Sequence, residues 1–210
     1  MEEKIIISLG GSLIIPEEID VDFLRNFKDV IFEQATKGKK FYIITGGGKV
    51  CRKYQAAAKE LGNPTNEELD MIGIRALNLN AELVRTIFKG NDNVVVYGAD
   101  KPGSSTDLGA VMLAKENGAK QVINLSNIDY AYDSDPKINP SAKKIENISW
   151  AEYRKLIPVE WNPGLSTPFD PIASAMAESE RIEVAILNGK NISNLSKCLN
   201  GEEFLGTKIK

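Results

Sequence analysis

The sequence predicts an α/β fold of three layers, in which a mostly parallel open sheet is covered by helices on both faces. Two observations carry that expectation. Short runs rich in β-branched and aromatic residues recur along the chain, and longer segments with apolar residues at helical spacing lie between them. The runs are apolar almost throughout, as strands buried on both faces must be, and parallel neighbours need a crossover that the intervening helices supply.

The first run, residues 5–9, is a candidate strand, and a helix marked by Phe23, Phe27, Val30, Ile31, Gln34 and Ala35 follows it. A second strand spans 41–45. A helical run through Arg52 and Tyr54 comes next, then a long helix over 66–89 whose spacing places Leu69, Ile72, Ala76, Leu79, Leu83 and Ile87 on one stripe. Strand 94–97, a helix from Leu108 and strand 121–125 continue the alternation. The stretch 133–150 is polar and contains proline, so it reads as a loop or a small hairpin excursion. Pro158, Pro163, Pro168 and Pro171 make 158–171 a second long loop, and Asp170 before Pro171 is a good capping start for one more helix. Strand 183–187 comes last. No linker long enough to separate domains is visible and no segment repeats, so 1–210 reads as a single domain.

A chain of 210 residues buries about 70% of its unfolded surface, so its core needs no disulfide staple. It contains no histidine. That absence removes Ser-His-Asp and Cys-His nucleophile pairs, His-ligated zinc, and any side chain whose ordinary pKa lies near neutrality. Catalysis must run on carboxylates, Lys or Arg, hydroxyls, backbone amides and a hard metal ion. The formal net charge of −3 argues against a broad basic face for nucleic acid. Cys51 and Cys198 are isolated thiols, as in a reducing compartment. The apolar run Ile5, Ile6, Ile7 is too short for a signal-peptide core or a membrane span, so a cytoplasmic protein with no membrane partner is expected.

Ligands of open parallel sheets sit beyond the carboxyl ends of the strands. Gly10-Gly11-Ser12 follows the first strand and Gly46-Gly47-Gly48-Lys49 the second. Glycine lets N–H groups approach a ligand, and a helix N-terminus adds partial positive charge, which together make a phosphate cradle. Neither turn fits GxxxxGK[ST] or GxGxxG. One such turn alone is more simply a tight turn; a pair suggests two phosphorylated ligands meeting end to end. In the third loop, Thr106 or Asp107 is a natural N-cap, and the Gly103-Ser104-Ser105-Thr106 run is equally a wrap for phosphate or sugar. The fourth loop carries Asp129, Asp133 and Asp135 with Tyr130 and Tyr132, which suits Mg²⁺ and a stacked base, or an Asx-turn cluster at the surface.

The landmarks form an ordered set: Ile7-Ser8-Leu9-Gly10-Gly11-Ser12, Thr45-Gly46-Gly47-Gly48-Lys49 with Arg52-Lys53-Tyr54, and Asp70-Met71-Ile72-Gly73-Ile74 leading to Asn80-Ala81. They continue through Pro102-Gly103-Ser104-Ser105-Thr106-Asp107, Asn127-Ile128-Asp129, Tyr132, Asp135-Pro136, Ala142-Lys143-Lys144-Ile145, Asp170-Pro171-Ile172-Ala173 and Gly206-Thr207. Over nearly the whole chain this set resembles the amino-acid kinase superfamily and, within it, the uridylate (UMP) kinases, the archaeal branch most closely. The resemblance implies the amino-acid kinase fold, Mg²⁺- and ATP-dependent phosphorylation of UMP to UDP, and a homohexamer built from dimers in which helix 66–89 is a contact element. It implies that Gly10, Gly11, Ser12 and Gly48 contact the ATP phosphates, that Arg52 lies on the same nucleotide, and that Ser126, Tyr132 and Asp135 hold ATP. Gly47 would contact the UMP phosphate and Asp70 its ribose. Ala99, Asp100, Lys101, Pro102, Gly103, Ser104, Ser105 and Thr106 would contact the uracil and phosphate. The N-terminal region would hold UMP and the C-terminal region ATP. Ser8, Arg52 and Asp135 stand as the catalytic candidates, and no metal ligand is assigned.

Two positions depart from the pattern. Most of the superfamily has a Lys where this chain has Ser8, which leaves Mg²⁺, Arg52 and Lys49 as candidates for the catalytic cation. Tyr130 stands at a glycine of the family's Asn-Val-Asp-Gly-Val-Tyr, where positive φ would strain a tyrosine, so the loop is reshaped or the adenine pocket altered. The same fold also supports other acceptors, such as acetylglutamate or an isoprenoid phosphate, and regulators or storage-type homologues that bind nucleotides without turnover. The isopentenyl phosphate branch uses a histidine that this chain lacks, and acetylglutamate kinases lack the Asp70 helix pattern.

Overall fold

The computed structural model describes residues 3–99, 105–160 and 167–210. β1 (Glu3–Leu9) leads through the one-turn α1 (Gly11–Ile14) to α2 (Val21–Thr36), and β2 (Lys39–Thr45) leads through α3 (Gly48–Leu61) and α4 (Asn66–Ile87) to β3 (Val94–Tyr97). α5 (Thr106–Asn117) and β4 (Gln121–Ser126) follow, then β5 (Ala131–Tyr132), β6 (Lys144–Ile145), β7 (Asn147–Ile148) and α6 (Trp150–Leu156). The chain ends with α7 (Pro171–Glu180), β8 (Glu183–Asn188), α8 (Ile192–Leu199) and β9 (Thr207–Ile209).

Seven strands form one sheet in the order β3-β2-β1-β4-β8-β9-β7. The pairs β1–β2, β1–β4, β2–β3 and β4–β8 are parallel; β9 runs antiparallel to β8 and parallel to β7. The chain winds outward from β1 to β3, then returns to the other side of β1 with β4. The carboxyl ends of β1 and β4 therefore flank the switch point where such sheets open a crevice.

Burial on both faces accounts for the apolar strands. Ile5, Ile7 and Leu9 pack with Phe27, Ile31, Val84 and Leu195, from α2, α4 and α8. Ile6 packs on the other face with Val111, Tyr153 and Ala173, from α5, α6 and α7. These are the three layers. Ile6 and Ile7 are 0% exposed, and full burial of such a side chain contributes about 1.5–3 kcal/mol. Side chains alternate along a strand, so Ser8 shares the face of Ile6 and points toward α5 and α7.

The five expected strands are all present, and the cap of α7 is as expected: Asp170 accepts from Ile172 N and Ala173 N with Pro171 in the first turn. Other details are corrected. The N-cap of α5 is Ser105, whose Oγ accepts from Leu108 N at 2.9 Å, and neither Thr106 nor Asp107 takes that place. On α4 the buried residues are Leu69, Ile74, Asn80, Ala81 and Val84, while Leu79 is 67% exposed, and the helix stops at Ile87. The inward face of α4 keeps Leu69 of the expected stripe, with Leu83 and Ile87 packed against the core, but it also takes in Asn80, which donates to Gly46 O at 2.8 Å, so apolar spacing alone misplaces Leu79 and misses Asn80. The excursion at 133–150 is a hairpin in which Tyr132 pairs with Lys144 and Ala131 with Ile145. Thr207 Oγ1, on the unexpected strand β9, accepts from Ala131 N at 2.8 Å and joins that hairpin to the sheet. Among the described residues no helix is long and apolar enough to cross a membrane.

Candidate active site

β1 and β2 run side by side and end together, with Leu9 opposite Thr45, so both glycine turns leave the sheet at one place. Gly46 N donates to Leu9 O at 2.9 Å, and Gly10 N to Leu125 O at 2.8 Å. A Cβ on Gly11 would lie 2.2 Å from Gly46 O and 2.5 Å from Gly48 N. A Cβ on Gly48, whose φ is +63°, would lie 2.3 Å from the Gly11 carbonyl carbon. The two turns are thus in direct backbone contact, closer than any side chain permits. α1 begins at Gly11 and α3 at Gly48, so their first-turn amides start from this contact, and such amides have no partner within their own helix.

Charges gather around the pair. Arg52, one turn into α3, donates from Nη2 to Ser12 Oγ at 3.2 Å, which brings a guanidinium onto the first turn. Lys49 is engaged by Glu17, and Lys53 bonds the same carboxylate at 3.2 Å. Those two ammonium groups hold the Glu17 carboxyl below its usual range. A Cβ on Gly47 would lie 2.8 Å from Cys51 Cβ, and one on Gly73 would lie 3.4 Å from Cys51 Sγ, so α3 and α4 pack closely here. Burial pushes the Cys51 thiol up, while the Arg52 charge opposes that and the Asp70 charge adds to it. Asp70 itself is half-buried.

Beneath the turns lies a buried polar centre. Ser8, 3% exposed, donates from Oγ to Asp107 Oδ1 over 3.5 Å. Asn124 Nδ2 donates to Asp107 Oδ1 and to Pro168 O, both at 3.2 Å, and Asp170 N donates to Asp107 Oδ2 at 3.2 Å. Ser105 Oγ donates to Asp170 Oδ2. Tyr153 OH donates to Phe169 O and accepts from Phe169 N, both at 2.8 Å, which fixes the residue before Asp170. Burial, and then the neighbouring Asp170 carboxylate, push Asp107 up to about 7. In the sequence Asp107 and Asp170 stand out as landmarks and helix caps and Asn124 is given no role; that the three meet in one buried cluster comes from the fold. Asn124, a polar residue inside the apolar run Val122-Ile123-Asn124-Leu125, was the available signal.

Ser126 ends β4; its Oγ accepts from Ile128 N at 3.4 Å and its carbonyl accepts from Gly189 N at 2.9 Å. Tyr132 is half-buried in the hairpin, and Asp135 is exposed in an Asx turn, accepting from Lys137 N at 2.9 Å. Tyr130 carries a Lys144 ammonium 4.9 Å from its ring centroid. Arg181 is the one described non-glycine residue with positive φ, so Tyr130 takes the glycine position without left-handed strain. On the other side, Ala99, Ser105 and Thr106 border an open cavity of about 420 Å³ that Leu77, Tyr97 and Met112 also line. Asp100, Lys101, Pro102, Gly103 and Ser104 lie outside the described residues.

Residues 68–188 match the model of the Amino acid kinase family. The chain is similar to a uridylate kinase of Thermoplasma acidophilum, 31% identical over 100% of this chain and 97% of that protein. A uridylate kinase of Staphylothermus marinus is 32% identical over 96% of each chain. The crystal structure of uridylate kinase from Archaeoglobus fulgidus superposes with a TM-score of 0.83 at 30% identity, covering 99% of this chain and 100% of that one. UMP kinase from Bacillus anthracis reaches the same TM-score of 0.83 at 19% identity, covering 99% of this chain and 96% of that one, a likeness of fold alone.

Proposed function

Because the chain belongs to the amino acid kinase family, we propose that it transfers the γ-phosphoryl group of ATP to UMP, giving UDP and ADP. A UMP phosphate oxygen forms the new bond to the γ-phosphorus as the bond to the ADP oxygen breaks. The observation that carries this reading is the backbone contact between Gly11 and Gly46–Gly48. Two phosphate cradles meeting there bring a donor and an acceptor phosphate together, and phosphoryl transfer asks a protein mainly for positioning and charge cancellation. A chain without histidine can do this.

In this reading Gly10, Gly11, Ser12 and Gly48 hold the ATP phosphates and Arg52 neutralises them, held by Ser12 at 3.2 Å. Ser126, Tyr132 and Asp135 hold the rest of ATP. Gly47 receives the UMP phosphate, Asp70 accepts from the ribose hydroxyls, and the stretch from Ala99 to Thr106 receives the base. ATP enters as its Mg²⁺ complex, since Mg²⁺ keeps phosphate and water ligands and needs few from protein. The reaction belongs to pyrimidine nucleotide biosynthesis in the cytoplasm. Self-association into a homohexamer of dimers belongs to the same reading. Tyr54 (66% exposed) and Leu61 (88%) on α3, with Leu79 on α4, form apolar surface that such a contact would cover.

The test is ADP formation from MgATP with UMP, CMP, AMP and acetylglutamate offered separately. Turnover with UMP well above the others is expected. No turnover with any acceptor, alongside tight UMP or ATP binding, would contradict the reading and leave a nucleotide-binding regulator. Asp70→Asn should raise KM for UMP by about 10-fold or more while KM for ATP stays within twofold, as loss of a charged hydrogen bond predicts. An unchanged KM for UMP would remove Asp70 from the site.

A further inference from the structure

α4 presents a second polar side chain two turns beyond Asp70, the half-buried Asn78. Asn78 Nδ2 donates to Ala99 O at 2.7 Å, and Ala99 N donates to Asn78 Oδ1 at 3.1 Å. One amide thus satisfies both backbone groups of one residue, as a neighbouring strand would, and a two-point grip fixes orientation as well as position. β3 ends at Tyr97, so Ala99 lies just where the chain leaves the sheet. The grip depends on its neighbour. A Cβ on Gly98 would lie 1.8 Å from Asn78 Oδ1.

The far end of the 99–106 stretch is held separately, by Ser105 through Leu108 N and Asp170. Flanking Asn78 on the same helix, Leu77 O accepts from Thr45 Oγ1 at 2.9 Å and Asn80 donates to Gly46 O at 2.8 Å. A single rigid helix is therefore bonded to the second glycine turn and to the start of the acceptor stretch, and it carries Asp70 as well.

We infer that Asn78 is a positioning residue for the acceptor, and that the Asn78–Gly98 pair sets where the acceptor stretch starts relative to Asp70 and Gly47. The inference rests on the UMP reading above. Nothing in it requires Asn78 to touch a nucleotide. Its loss therefore lowers acceptor affinity through Ala99 and leaves the donor side unchanged.

A double-mutant cycle read in KM for UMP, KM for ATP and kcat tests this, with melting temperature followed for every variant. Asn78→Ala should raise KM for UMP about tenfold, with kcat and KM for ATP within about threefold. Asn78→Asp keeps the shape and the acceptor for Ala99 N but sets a carboxylate against Ala99 O, so it should behave like Asn78→Ala; a packing role would leave it like wild type. Gly98→Ala should raise KM for UMP similarly, and the double variant Asn78→Ala/Gly98→Ala no further than either single change. Additive effects, an equal rise in KM for ATP, or an unmoved KM for UMP in Asn78→Asp would each overturn the inference while wild-type turnover with UMP still supports the function. A wild-type chain inert toward UMP would instead overturn the functional reading, and this inference with it.

Discussion

Gly11→Ala should lose at least about 100-fold in kcat/KM with UMP and MgATP, because its Cβ has no room that does not separate the two turns. The obstructing atoms are backbone, Gly46 O at 2.2 Å and Gly48 N at 2.5 Å, so no side-chain rotation relieves the contact. One turn must withdraw, by a distance comparable to the misplacement that ruins a phosphoryl transfer in line. Overpacking of this kind also costs about 1–3 kcal/mol of stability. Gly38→Ala is the control. Gly38 has a φ of +89° with nothing within 4 Å, so alanine there strains the backbone by about 1 kcal/mol and should leave both KM values unchanged. If Gly11→Ala keeps wild-type kinetics, the contact between the turns does not position the phosphates.

The second large effect is on stability against pH. Asp107 is held at about 7, well above the ordinary carboxylate value of 3.8, and faces Ser8 from β1, Asn124 from β4, Asp170 from the N-cap of α7 and Tyr153 from α6. The folded chain therefore keeps a proton that the unfolded chain has lost. Stability from this group is complete below about pH 4, falls as pH rises through 7, and is level above that. Three pH units correspond to about 4 kcal/mol, or on the order of 10 °C in melting temperature for a chain of this size. The difference between the wild-type and Asp107→Asn melting profiles from pH 4.5 to 8.5 isolates it. A constant difference would show that Asp107 is not held neutral.

Ser8→Lys joins this prediction to the missing cation. An ammonium entering beside Asp107 and Asp170 should favour the ionised carboxylate, move the fall in stability to lower pH, and leave turnover equal or higher. A large loss of turnover would show that another group already fills the space.

Strands were legible because their side chains are buried on both faces, which makes runs such as Ile5-Ile6-Ile7 and Val94-Val95-Val96 unmistakable. The glycine turns were legible for a related reason, since only glycine permits such an approach of backbones. Elements of two or three residues, such as β5, β7 and β9, were not, because too few side chains are present to set a period. The face of α4 was legible through Leu69, Leu83 and Ile87 but not in full, since Asn80 points inward to serve Gly46 while Leu79 points out. The buried centre was the least legible region. Ser8, Asp107, Asn124 and Asp170 come from four elements, and each has an adequate local explanation; Ser8 and Asp107 are separated by 99 positions. Only the fold shows that the Asp107 carboxyl lies against Ser8, the position where the resemblance leads one to expect a lysine.

The most direct measurement of the central claim is binding of a bisubstrate ligand, adenosine and uridine joined through a pentaphosphate. If the two turns hold donor and acceptor phosphates end to end, it should bind at least about 100-fold more tightly than ATP or UMP alone, exclude both, and lose that advantage in Gly11→Ala. Affinity no better than that of ATP, or simultaneous binding of UMP with the bisubstrate ligand, would contradict the end-to-end arrangement.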